Sequence, residues 1–143
     1  MEILKKFEMM DCKTMATPMA SNLKLLSDTS SKSVDATMYR QMIGSLMYLM
    51  NTRPNTCFVV NKLMSLTDPR HVHLMVAKHA VRYLKGKVDY GLKYEVNQKI
   101  NLEFYVDSDW AGSAIDRNIT SGCCFSMGSC VISWLSRKSP TWC

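Results

Sequence analysis

The residue types best suited to chemistry in this 143-residue chain are three histidines, six cysteines and one short basic series. His71, His73 and His79 invite a metal reading, because neutral imidazole is the commonest metal ligand. All three fall on or beside one predicted helix, however, and no acid completes a site with them. His79 is therefore expected as a core histidine within an apolar stripe, and no metal or cofactor is expected. The cysteines are Cys12, Cys57, Cys123, Cys124, Cys130 and Cys143. They include no C-x-x-C pair, and no His pair follows at zinc-finger spacing, so structural zinc is poorly supported. Free thiols acting as small hydrophobes are the expectation, with Cys123 and Cys124 on opposite faces of a strand. No nucleophile–base pair is fixed by sequence, and there is no Gly-rich phosphate loop. Lys78, Arg82 and Lys85 stand at i, i+4 and i+7 and form a basic stripe. Such a row can track phosphates without sequence preference, or it can be an ordinary solvated helix face.

The elements that must position these residues follow from periodicity. Residues 1–37 are expected to be a poorly ordered N-terminal segment, opening with the last turns of a helix at Met1–Phe7. Pro18 and the Ser27–Ser33 run mark a long mobile connection. Tyr39, Met42, Ile43, Leu46, Met47 and Met50 then repeat as one buried helical face, with Asp35 and Thr37 as candidate N-caps. Pro54 ends that helix and opens a second, with Cys57, Phe58, Val60, Leu63 and Met64 turned inward. Asp68-Pro69 reads as a cap and first-turn proline for a third helix, whose stripe is Val72, Met75, Val76, His79, Ala80, Tyr83 and Leu84. Gly86 is placed to end it. The spacing predicts helices over about 36–51, 54–66 and 69–86.

After Gly86 the period changes to two. Ile100, Leu102, Phe104 and Val106 alternate with Asn101, Glu103, Tyr105 and Asp107, the pattern of a half-buried strand. Two more strands, near 118–127 and 130–136, are joined by a tight turn at Gly128-Ser129. The fold class is thus α/β, in the segregated α+β sense: three helices followed by a three-stranded antiparallel meander.

Composition agrees with a folded domain. Hydrophobic residues make 47% and charged residues 21%, near the averages for globular chains, which excludes global disorder. No window approaches the roughly 18 apolar residues of a membrane span, so no membrane partner is expected. Met1–Glu8 interleaves charge where a signal peptide would be apolar, which points to an intracellular protein. Charge is uneven: residues 1–100 hold 15 Lys and Arg against 8 Asp and Glu, while residues 101–143 hold 3 against 4. A basic first part suits a polyanionic partner. Twelve methionines are expected to fill the helical interior.

Several ordered motifs resemble the copia-type (Ty1-like) retrotransposon polyproteins. Asp11-Cys12-Lys13 followed by Thr17-Pro18-Met19 is similar to the family's D-C-K…T-P-M element. Tyr39-Arg40 through Tyr48-Leu49 is similar to Y-R-x-x-I-G-S-L-M-Y-L, and Thr52-Arg53-Pro54 to T-R-P-D with Asn55 in place of the aspartate. Arg82-Tyr83-Leu84-Lys85-Gly86 with Tyr90-Gly91-Leu92 resembles R-Y-L-K-G-T…Y-G-L. Asp107-Ser108-Asp109-Trp110-Ala111-Gly112 stands as D-S-D-W-A-G. Asp116-Arg117 with Thr120-Ser121-Gly122 resembles D-R-x-S-T-S-G, and Ile132-Ser133-Trp134 resembles I-S-W.

The resemblance implies the end of reverse transcriptase joined to the start of ribonuclease H. It makes residues 38–95 a thumb/connection-like helical segment and residues 96–143 a truncated ribonuclease H-like sheet. The family's Y-V-D-D polymerase motif does not occur in the chain, so no polymerase activity is expected. Asp107 matches the first metal-binding aspartate of ribonuclease H, while the acid that follows the third strand in the family has no counterpart before Cys143. Two-metal hydrolysis needs several convergent carboxylates, so Asp107 is expected to be vestigial; Asp109 and Asp116 do not substitute. The implied function is a non-catalytic remnant of a copia-type polyprotein with weak, non-specific nucleic-acid binding.

Stand-alone chains of this layout also resemble secreted RxLR-type effectors of oomycetes, which act inside the host plant cell on defence and cell death. Arg82, Leu84 and Lys85 make an R-x-L-K variant of that motif, without an acidic follow-up. On that alternative the protein is secreted and translocated to the host cytoplasm or nucleus, where it meets a host protein. A sheet without its covering helix would leave an apolar face open to self-association.

Overall fold

A computed structural model describes residues 2–20, 31–95, 101–109 and 118–140, with the side chains of 108, 109, 118–120 and 138–140 outside the description. The connection at Ser27–Ser30, Ile100, Asp116 and Cys143 also lie outside the described residues. The chain divides into two compact units, Met1–Tyr90 and Gly91–Cys143.

The first unit is helical. α1 spans Glu2–Lys6, α2 Ala36–Met50, α3 Cys57–Met64 and α4 His71–Lys85, with a 3-10 turn at Pro54–Thr56 leading into α3. α1 closes through Glu8, which holds a left-handed backbone (φ 55°). The Met9 amide donates to Leu4 O (2.8 Å) and the Glu8 amide to Lys5 O (3.3 Å), a Schellman pair around a residue that is not glycine. Leu4 and Met9 are thereby seated in the core. Within segment 1–37, then, residues 2–20 carry a helix and two core side chains.

α2 begins where an acceptor is available. Asp35 Oδ1 takes the amides of Thr37 (2.8 Å) and Met38 (3.3 Å), the expected N-cap. Tyr39, Met42, Ile43 and Leu46 are buried as the periodicity requires, while Met47 lies at the solvent margin. α3 departs from expectation: Val59 joins Val60 and Leu63 inside, and Phe58 and Met64 face out. The 3-10 turn at Pro54–Thr56 advances the chain by three residues per turn, which rotates the following helix and brings Thr56 into the buried row.

α4 also starts later than Asp68-Pro69 suggested. Arg70 is extended (φ −106°, ψ 170°) and bridges Ser33, and the His71 amide donates to Lys32 O (2.9 Å). Asp68 does not cap the helix; its carboxylate pairs with the Arg70 guanidinium at 2.7 Å. The buried stripe of α4 is His73, Leu74, Val76, Ala77, Ala80, Val81, Tyr83 and Leu84, with Met75 exposed. His73, rather than His79, is the core histidine. Its Nδ1 accepts the Arg70 amide (2.9 Å), which closes the first turn of α4. Methionine is less internal than composition implied: Met10, Met47, Met64, Met75 and Met127 are exposed.

The second unit is an antiparallel sheet in the order β1-β2-β3: Leu102–Asp109, Asn118–Met127 and Cys130–Pro140. Gly128 takes φ 61° in the two-residue β2–β3 turn, where a left-handed residue matches the strand twist. A bulge between Phe125 and Ser126 sets Phe125 opposite Ser133 while Ser126 faces Val131. One face aligns Leu102 with Met127, Phe104 with Phe125, and Val106 with Cys123 and Leu135. The Phe104 and Phe125 rings stack at 4.5 Å. The other face carries Tyr105, Cys124 and Trp134, then Asp107, Gly122 and Ser136. Strand β1 was expected to be half-buried, yet Leu102, Phe104 and Val106 are each more than half exposed, and so is Leu135.

Candidate nucleic-acid interface

The basic stripe lies beside the buried row of α4, and Lys78, Arg82 and Lys85 are all half-buried there. What covers it is the chain's own Met10–Thr17 segment. Lys85 Nζ donates to Met10 O (2.5 Å) and Cys12 O (2.7 Å). Arg82 Nε donates to Lys13 O (2.6 Å). His79 Nε2 donates to Thr17 O (2.9 Å), which fixes its tautomer with the hydrogen on Nε2. One turn of backbone is also shared, since the Met15 amide reaches Arg82 O at 3.4 Å. His79, Arg82 and Lys85 thus form a ladder one turn apart that grips four carbonyls of one strap. Gly86 lets the strap come close, since a Cβ there would stand 3.2 Å from Thr14 Cβ. Cys12, Met15 and Met19 pack against the core from the strap side.

Arg53 repeats the device just past the C-terminus of α4. Its guanidinium donates to the carbonyls of Tyr90 and Val88 and ties down the chain that leaves α4. Asn55 Nδ2 donates to Tyr83 Oη at 2.6 Å, so the Thr-Arg-Pro-Asn stretch meets both α4 and the chain that leaves it. Sequence reasoning named neither contact. Backbone carbonyls leave no signature in sequence, and only the motif's presence could have flagged Arg53.

Asp107 sits on β1 opposite Gly122, and its side chain is exposed. The nearest acid on the same face with a described side chain is Glu103, four residues along. At about 3.4 Å per residue these two lie roughly 13 Å apart, too far to share a cation. Glu103 is otherwise engaged, since it accepts hydrogen bonds from Tyr105 Oη and Asn101 Nδ2. The Glu103 carboxylate raises the Tyr105 pKa. Among the described residues no group of three His, Cys, Asp or Glu side chains converges as a metal site. Cys57 and Cys130 are buried thiols and Cys12, Cys123 and Cys124 half-buried ones, none of these five in a disulfide. No helix among the described residues is long and apolar enough to cross a membrane.

The ordered motifs, carried on a basic helical unit and a small sheet, are similar to those of a retrotransposon-type polyprotein segment. The chain is 37% identical over 139 residues to the retrovirus-related Pol polyprotein from transposon RE2 of Arabidopsis thaliana, covering 96% of this chain and 10% of that one. It is 37% identical over 142 residues to an uncharacterised mitochondrial protein of the same plant, of which it spans 58%. It is also 36% identical over 105 residues to the secreted RxLR effector protein 161 of Plasmopara viticola, covering 72% of this chain and 74% of that protein. The chain is thus a relative of the copia-type retrotransposon Pol polyproteins. It spans little more than half of the mitochondrial relative and a tenth of the polyprotein. No family model and no solved structure matches it.

Proposed function

We propose that the chain is a non-catalytic remnant of a copia-type polyprotein, whose helical unit binds nucleic acid weakly and without sequence preference. The observation that carries this reading is the segregation of charge by structural unit. Residues 1–90 hold 13 Lys and Arg against 7 Asp and Glu, whereas residues 91–143 hold five of each. A compact basic unit attracts a polyanion by counterion release, the term that supplies almost all non-specific affinity. The isolation of Asp107 from Glu103 supports the non-catalytic half, and so does the absence of a Tyr-x-Asp-Asp run from the sequence. The ribonuclease H-like ancestry of the three-stranded sheet is part of the same proposal. An intracellular location goes with it.

The test is fluorescence anisotropy with a labelled duplex. Dissociation constants of about 10⁻⁴–10⁻⁶ M are expected near physiological salt, with log K falling by about one unit or more per decade of salt. Affinity unchanged between 50 and 200 mM salt would contradict the reading.

A second reading, a secreted effector acting on a host protein, is favoured by the similarity to the RxLR effector of Plasmopara viticola. Its motif equivalent, Arg82-Tyr83-Leu84-Lys85, is helical here, with Tyr83 and Leu84 buried and both cations engaged. A motif read as a linear peptide would have to unwind from α4. A secretion reporter followed by a host cell-death assay separates the two readings.

A further inference from the structure

We infer that the Met10–Thr17 strap is an intramolecular mask over the α4 cations, and that lifting it bares Arg82 and Lys85 to the phosphate backbone of a nucleic acid. The inference rests on the nucleic-acid reading above and adds the regulation of that surface. Arg82 and Lys85 are covered, yet they are not neutralised. Their recorded acceptors are the main-chain carbonyls of Met10, Cys12 and Lys13, which are dipoles and not charges. The strap's own charges, Asp11 and Lys13, cancel. Both cations therefore sit under a cover that a phosphate can out-compete, because a carbonyl offers them only a dipole whereas a phosphate oxygen adds a full opposite charge.

The cover can also lift without unfolding the unit. Leu4 and Met9, which precede the strap, are buried anchors, while Cys12 and Met15 within it are only half-buried and Thr14 is exposed. Where the strap passes Gly86, an added Cβ would meet Thr14 Cβ at 3.2 Å, and this contact uses none of the cations. With the strap down, Lys78 is the stripe member left for phosphate; with it up, all three are available.

The test wedges that contact from each side, with Gly86→Leu in one variant and Thr14→Trp in another, each checked for a native helical circular dichroism spectrum. Two further phosphate contacts steepen the salt slope by about 1.8, so each variant should lose roughly tenfold more affinity than the unmodified chain between 50 and 200 mM salt. Adding R82Q and K85Q to a wedge should remove the gain. In the unmodified chain, saturating duplex should speed tryptic cleavage after Lys13, because coupling between strap release and duplex binding is reciprocal. Duplex that binds the unmodified chain but leaves both the wedge slopes and the Lys13 cleavage rate unchanged overturns the mask and spares the nucleic-acid reading. No binding by any of the proteins at 50 mM salt sinks both.

Discussion

Lys85 shows how one side chain can satisfy two interpretations of a sequence. Its place in a basic row suggests a solvent-facing charge, yet its ammonium group bridges two carbonyls that lie more than seventy residues earlier in the chain. It also stands in the last turn of α4, where a cation complements the helix dipole. Replacing it with alanine should cost about 1–2 kcal/mol, the worth of charge-assisted hydrogen bonds at a half-buried site, and chemical denaturation would read this directly. Tyr39 offers a pH test. Burial pushes its phenol up to about 12, and its hydroxyl donates to Leu63 O at 3.0 Å. The folded state therefore holds the phenolic proton more tightly than the unfolded chain, whose tyrosine titrates near 10. That stability is complete below pH 10 and is lost as pH rises through 12. The Tyr39→Phe variant should be about 1 kcal/mol less stable at pH 7 and should show less of this alkaline loss. Glu8 is a third case. A left-handed residue with a Cβ is strained by roughly 1–2 kcal/mol, so Glu8→Gly should raise the melting temperature despite glycine's entropy cost.

Among the elements, α2 was the most legible. Four of its six assigned core positions are buried, and Leu46 is completely so; Leu46→Ala should cost about 2–5 kcal/mol by denaturant titration. The three strands and their tight turn were equally readable, because alternation and Gly128 are local signals. α3 was misphased because a 3-10 turn rotates everything after it, and no composition cue marks such a turn. The start of α4 was misplaced because its cap is His73 acting backwards on the Arg70 amide, an unusual capping chemistry. His79 was read as core because it lies within an apolar series. In the structure it stands beside that series and meets the strap. The strap was illegible for a plainer reason: its hold is by carbonyls, which every residue possesses. The stripe residues were thus found by type and spacing, while their partners were not.

For the molecule as a whole, net charge is divided unevenly between the two units. The helical unit carries the positive charge, and the sheet unit presents Leu102, Phe104, Val106 and Leu135 to solvent on one face. We expect that face to drive self-association, since apolar patches of a few hundred Å² rarely stay uncovered. Sedimentation across a concentration series should show oligomers, and Phe104→Ser with Val106→Thr should reduce them; a strictly monomeric, dye-negative protein would refute this. Catalysis is the sharper question, because the resemblance matches Asp107 to a metal-binding aspartate while the nearest acid on its face with a described side chain is out of reach. The deciding measurement is incubation of an RNA–DNA hybrid with the protein and Mg²⁺ at low salt, read on one gel for mobility and for cleavage. The account predicts a salt-sensitive shift of an intact hybrid, identical for the unmodified chain and for Asp107→Asn. A hybrid cut by the unmodified chain and spared by Asp107→Asn would contradict it.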